Sequence, residues 1–365
     1  MKNQQKIYEN PLLYIIILII GLGTVMMYSA SSTIGINKFN QYSFYLNRHL
    51  IRLIISLFAF TLVYHLNFRF LKNFSLEILV LSWLVMISAY FFNDNTSTRR
   101  WLIVFGKNLF TTSDLARIAI IIYTAQFIES NKNKINEIKF LLKNYIPYLS
   151  ITLLLILFQP DLSTTIATFL IILTMLIIAG LNVRHLIFPL AIGLSLFVLK
   201  LVNTPYQIAR LKNWYLGQYN IQTENAIQAL GNGGIFGVGI GKSIIKNGFM
   251  PEVHTDFILP IIGEEMGFIG IIFIFILYLG IYFCGINICK NSPDIFSSML
   301  SIGITINILF YFLINASYVV GILPTTGLPI PFISYGGSQL LFSFISIGIL
   351  MNISWYTKIY KYKSL

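Results

Sequence analysis

Charge is scarce in this chain: only 10% of its 365 residues are charged, against about 25% in an ordinary soluble domain. Most of the sequence therefore cannot be a water-facing surface. Acidic residues are the rarest, 13 against 25 Lys and Arg, for a formal charge of +12. Such an excess can signal nucleic acid. Here, however, the basic residues lie between apolar runs and build no continuous basic stretch, so no nucleic-acid partner is expected. Cysteine is nearly absent. Cys284 and Cys289 sit in or near one apolar run at a spacing that fits no zinc site, and they read as buried thiols. The four histidines, His49, His65, His185 and His254, are scattered and give no metal cluster. The polar–apolar alternation of barrel strands is missing too.

What is present is apolar: 56% hydrophobic residues and a mean hydropathy of +0.76. Several runs are apolar on nearly every helical face and approach the roughly 20 residues that cross a hydrocarbon core of about 30 Å. A backbone in lipid must satisfy its own hydrogen bonds, so helix is the expected form. The reading is an all-α polytopic membrane protein with about ten transmembrane helices, near 11–30, 50–66, 76–92, 113–128, 145–158, 162–179, 186–202, 257–281, 299–320 and 338–353. The whole chain, 1–365, is read as a single membrane domain. Lys2 and Lys6 before an apolar run, with Ser29-Ala30-Ser31 after it, imitate a signal peptide. The run is long enough to span and others follow, so an uncleaved first span is expected. Lys and Arg accumulate in the short loops of one side, which places both termini in the cytoplasm. One connection breaks the pattern of short loops: a large extracytoplasmic loop at 203–256, between the seventh and eighth helices. Long connections are functional or disordered, and the Gly, Trp and Tyr content of this one favours packing.

Inside and after that loop lie the segments that can carry chemistry. Gly231 to Ser243 is glycine-rich and ends Gly241-Lys242-Ser243, but a nucleotide-binding loop needs glycine where Phe236 stands. The glycines either let backbone approach a membrane-bound ligand or allow tight packing. Glu252, Asp256, Glu264 and Glu265 place four carboxylates within fourteen residues at a membrane edge, where charge is penalised and calls for a reason. Asp256 either caps the eighth helix or acts as a general base, since partial desolvation favours the protonated form. Arg99 and Arg100 precede Trp101, and Arg210 and Lys212 open the long loop. Such arginines either snorkel to headgroups or receive phosphate. Gly321 to Ser338 holds three prolines and four glycines, so it cannot be one helix. A break of this kind at membrane depth is buried in protein or lines a wet cavity.

These motifs together resemble the SEDS family of shape, elongation, division and sporulation proteins, typified by FtsW and RodA. The resemblance covers nearly the whole chain and rests on Tyr28-Ser29-Ala30-Ser31, Arg99-Arg100-Trp101, Gln159 to Thr164, the glycine loop, Pro251 to Gly267 and Leu323 to Ser338. It implies a glycosyltransferase of the bacterial cytoplasmic (inner) membrane that polymerises lipid II into glycan strands. It also implies a class B penicillin-binding protein transpeptidase as partner, with other divisome membrane proteins. The family's His-Thr-Asp-Phe motif falls on His254 to Phe257, which makes Asp256 the expected catalytic carboxylate. Substrate contacts are expected from Arg99, Arg100, Arg210, Lys242, Glu252, His254, Thr255, Glu264, Glu265, Ser334 and Ser338, with Asp114, Arg117 and Asp161 in support. No cofactor is assigned by the resemblance; a divalent cation, Mg or Mn, sharing the pyrophosphate charge is an expectation without a visible ligand cluster.

Gly263-Glu264-Glu265, the glycine spacing and Tyr28 to Ser32 look more like the division member than the elongation one. An elongation polymerase and a lipid II flippase stand as alternatives; a flippase would place its ionisable groups near the midplane, whereas here they gather at the outer edge. The chain departs from the family pattern at Thr111 to Asp114 with Arg117, where Gln-Pro-Ser-Glu and a lysine are usual, and at Asn225-Ala226, where a Gln-Ser pair is usual. Charge signs survive at the first, with a planar cation in place of a point charge.

Overall fold

The computed structural model describes residues 11–91, 100–104, 107–186, 205–246 and 253–363. Its helices are α1 (Pro11–Phe39), α2 (Phe44–His65), α3 (Arg69–Asn73), α4 (Ser75–Phe91), α5 (Thr112–Ser130), α6 (Ile138–Asn144), α7 (Ile146–Phe158), α8 (Leu162–Ile178), α9 (Pro205–Tyr215), α10 (Ile221–Gly233), α11 (Ile258–Asn291), α12 (Ile295–Val319) and α13 (Gly337–Lys363). Each expected span coincides with one of them, except the seventh, which lies outside the described residues. Among the described residues α1, α2, α11, α12 and α13 are each long and apolar enough to cross a membrane alone, and α6 and α7, bent by 51° at their junction, are so only as a pair, as a broken span or a re-entrant loop. The fold is that of a multi-pass helical membrane protein.

Local chemistry sets the helix ends. Gln159-Pro160-Asp161 separates α7 from α8, and Asp161 caps α8 by accepting from Thr164 N at 3.2 Å. Asn220 caps α10 in the same way, through Thr223 N at 2.8 Å, and Gly234 at φ +51° ends that helix. Two features were not foreseen. The long loop carries two helices, α9 and α10, and the stretch after Arg100 forms an antiparallel hairpin of β1 (Trp101–Val104) and β2 (Lys107–Thr111). Trp, Ile, Val and Phe there suit a pleated surface more than a turn of helix.

The chain divides into two compact units. The first comprises residues 1–55, 204–284 and 308–340, and holds the glycine loop, Asp256 and the proline-rich break. The second comprises 56–203, 285–307 and 341–365. In the second unit α5 packs against α4, α7 and α8 and is buried along nearly its whole length. That burial explains how α5 lies inside a membrane protein while carrying Asp114, Arg117 and Glu129.

Candidate active site

The glycine loop of the first unit is a backbone joint. α11 is interrupted at Gly267, whose φ of +69° is non-helical, so several of its peptide groups lose helical partners. The loop supplies replacements: Val238 N donates to Glu264 O at 2.9 Å, Gly239 N to Glu265 O at 3.0 Å, and Phe268 N to Gly234 O at 2.9 Å. Only glycine permits such an approach. A Cβ on Gly237 would run into the Glu265 carbonyl, and one on Gly267 into Ile235 O and Gly237 N. Gly233 and Gly237 are packed tightly against α11, whereas Gly231, Gly234 and Gly241 have open space beside them.

Two adjacent carboxylates lock the joint. Glu264 and Glu265 are 0% and 1% exposed, and all four of their oxygens accept hydrogen bonds inside the protein. Glu264 takes Ser243 Oγ and Ile244 N; Glu265 takes Ser29 Oγ, Ser243 N and Lys246 Nζ, the last at 2.9 Å. Lys246 Nζ also donates to Gly241 O and Ser29 Oγ. Glu264 and Glu265, expected among the substrate contacts, are engaged inside the protein, where burial without these partners would be prohibitive. Lys242 stays exposed on the loop. Lys246, missed in the sequence, is the buried cation.

Asp256 lies half-buried in the turn that leads into α11. Thr255 Oγ1 donates to its Oδ1 at 2.8 Å, and its own carbonyl oxygen accepts from Asn315 Nδ2 at 2.8 Å and Tyr318 OH at 2.7 Å. The proline-rich break passes beside the carboxylate: a Cβ on Gly327 would stand 3.5 Å from Oδ2. Two residues earlier Thr325 Oγ1 accepts from Arg210 Nε, and Trp214 Nε1 donates to Gly321 O at 2.9 Å, so α9 is strapped to the same break. Arg210 is thereby held to the same break, two residues before Gly327, that passes beside the Asp256 carboxylate. His254 is fully buried, its ring tilted against those of Tyr45 at 4.4 Å and Tyr335 at 5.0 Å, and its carbonyl accepts from Tyr335 N. Arg52 lies 4.6 Å over the Tyr335 ring. Ser334 is also buried, where its hydroxyl accepts from Ile330 N, and Ser338 is buried at the start of α13.

The second unit gathers the supporting residues and Arg100. Asp114 pairs with Arg117 at 2.9 Å and accepts from Thr111 Oγ1, and Asp161 accepts from Ser113 Oγ at 3.1 Å. The Arg100 guanidinium donates to the carbonyls of Gln159 and Pro160 and lies 3.9 Å from Asp161. It caps the end of α7 with a cation, as the helix dipole favours. Arg99 and Glu252 lie outside the described residues. Among the described residues no three His, Cys, Asp or Glu side chains gather as a metal-holding group.

Three kinds of likeness agree with this geometry. The family model described as "Cell cycle protein", of FtsW, RodA and SpoVE, matches residues 10–359. The chain belongs to this family. It is 32% identical to the stage V sporulation protein E of Bacillus subtilis, over 95% of this chain and 97% of that one. To the probable peptidoglycan glycosyltransferase FtsW of Geobacter metallireducens it is also 32% identical, over 95% and 94% of the two chains. Its fold is similar to a chain of a peptidoglycan synthase complex that coordinates polymerization and crosslinking, with a TM-score of 0.76 at 21% identity over 94% of this chain and 96% of that one. RodA of Thermus thermophilus superposes with a TM-score of 0.69 at 21% identity, over 94% and 95%. Family membership and the apolar helices place the chain in the bacterial inner membrane as a multi-pass protein.

Proposed function

We propose that this FtsW/RodA/SpoVE-family chain is a peptidoglycan glycosyltransferase that polymerises lipid II, with Asp256 as its general base. The observation that carries the reading is the setting of Asp256: a half-buried carboxylate whose backbone is fixed by α12 and which lies beside the proline-rich break that also holds Arg210. In the reaction an acceptor sugar hydroxyl attacks the anomeric carbon of the donor. The new carbon–oxygen bond forms as the bond to the donor's pyrophosphate breaks, the proton passes to Asp256, and undecaprenyl pyrophosphate leaves. Arg210 offsets the charge on the leaving group. A divalent cation is a further part of the proposal. Such an ion would be held mainly by substrate phosphates with one or two carboxylates.

We assign the chain to septal synthesis, beside a class B penicillin-binding protein and other divisome proteins. A relative named FtsW, 32% identical, supports this assignment. The reading is tested by purifying the chain with its cognate transpeptidase and supplying lipid II. Glycan polymer is expected; movement of lipid II across vesicles without polymer would favour a transporter instead.

A further inference from the structure

Two prolines leave carbonyls without their local donors beside the candidate base. In the turn before α11 the residue four ahead of Asp256 is Pro260, and three ahead of Leu328 is Pro331; neither has an N–H to give. A buried carbonyl left unpaired is costly, so a partner must come from elsewhere. It comes from α12. Asn315 and Tyr318, three residues apart on one helical face and both fully buried, converge on the two oxygens. Asn315 Nδ2 stands 2.8 Å from Asp256 O, 2.7 Å from Leu328 O and 2.7 Å from Tyr318 OH, and Tyr318 OH stands 2.7 Å from Asp256 O and 3.3 Å from Leu328 O. The two amide protons and one hydroxyl proton cover both carbonyls. Asp256 and the strand bearing Gly327 are thereby held at a fixed spacing, with the carboxylate between them.

We propose that Asn315 and Tyr318 are positioning residues for Asp256: they replace the hydrogen-bond donors that Pro260 and Pro331 remove, and so set where the carboxylate meets the acceptor hydroxyl. The inference rests on the reading of Asp256 as the base. Both side chains are fully buried behind the Asp256 backbone, so the effect falls on turnover.

The test uses the full chain with its transpeptidase partner and lipid II. Tyr318→Phe removes a single oxygen and is expected to lower kcat about tenfold, the equivalent of one hydrogen bond of about 1.4 kcal/mol, with KM and the melting midpoint unchanged. Pro260→Ala restores an N–H four residues after Asp256, so Tyr318→Phe with Pro260→Ala is expected to recover at least about a third of the lost kcat, which loss of packing alone would not allow. Asn315→Ala, read in the same way, carries the test if the Phe variant is not recovered folded. Wild-type kcat in Tyr318→Phe, a change in KM alone, or no recovery with Pro260→Ala would overturn the proposal. Asp256→Asn run alongside separates the two claims. If it turns over normally the base assignment fails; if it is inactive while Tyr318→Phe is normal, only the positioning role fails.

Discussion

Lys246 and Lys242 lie four residues apart in one loop, yet they live in different environments. Lys246 is buried against Glu265, and Lys242 is exposed. Removing one member of a buried ion pair strands the other, at about 3–5 kcal/mol. Lys246→Met is therefore expected to destabilise the protein by about that amount in thermal unfolding in detergent, and Lys242→Met by less than about 0.5 kcal/mol. Adding Glu265→Gln to Lys246→Met should restore part of the loss, because the stranded charge is gone. An equal effect of the two lysines would contradict the assignment. Asp256 was singled out in the sequence by the His-Thr-Asp-Phe motif of the family it resembles, with helix capping as the alternative. Lys246, Asn315 and Tyr318 were not. Their partners, Ser29 for the lysine and Asp256 for the other two, lie 217, 59 and 62 residues away, and nothing local in the chain announces a long-range hydrogen bond. The one available signal was Pro260, which predicts a carbonyl in need of a donor. The internal partners of Glu264 and Glu265 were hidden for the same reason: a carboxylate pair in a sequence does not show which side chains meet it.

At the scale of elements the glycine-rich stretch and the break in α11 form one device. Neither is stable alone, since a helix interrupted at membrane depth must have its peptide groups satisfied within the protein. Gly267→Ala would force a Cβ into Ile235 O at a positive φ, and a loss of at least about 1–3 kcal/mol is expected. Gly231 offers the contrast. It sits within α10 with open space where a Cβ would go, so Gly231→Ala should raise stability by about 0.5–1 kcal/mol through helix propensity. Melting midpoints of the two variants check this, and a Gly267→Ala protein as stable as wild type would contradict it. The spans themselves were legible from apolar length. The hairpin after Arg100 and helices α9 and α10 were not, because their elements are short and their periodicity weak, and tertiary contacts decide them.

For the whole molecule, the distribution of Lys and Arg predicts both termini in the cytoplasm and the segment bearing α9 and α10 outside. With Cys284 and Cys289 replaced by Ser, a cysteine at exposed Gln218 should react with a membrane-impermeant maleimide in intact cells, and one at exposed Lys132 only after lysis. The reverse pattern would put Asp256 on the wrong face for extracytoplasmic synthesis. The central claim is that Asp256 takes the proton from the acceptor hydroxyl. It is tested most directly by the rate of glycan polymerisation from lipid II by purified wild-type and Asp256→Asn protein, each with the cognate transpeptidase. The account predicts polymer from the wild type and a loss of about 100-fold to 10,000-fold in the Asn variant, with an unchanged melting midpoint. Polymer formed by Asp256→Asn at the wild-type rate would contradict it.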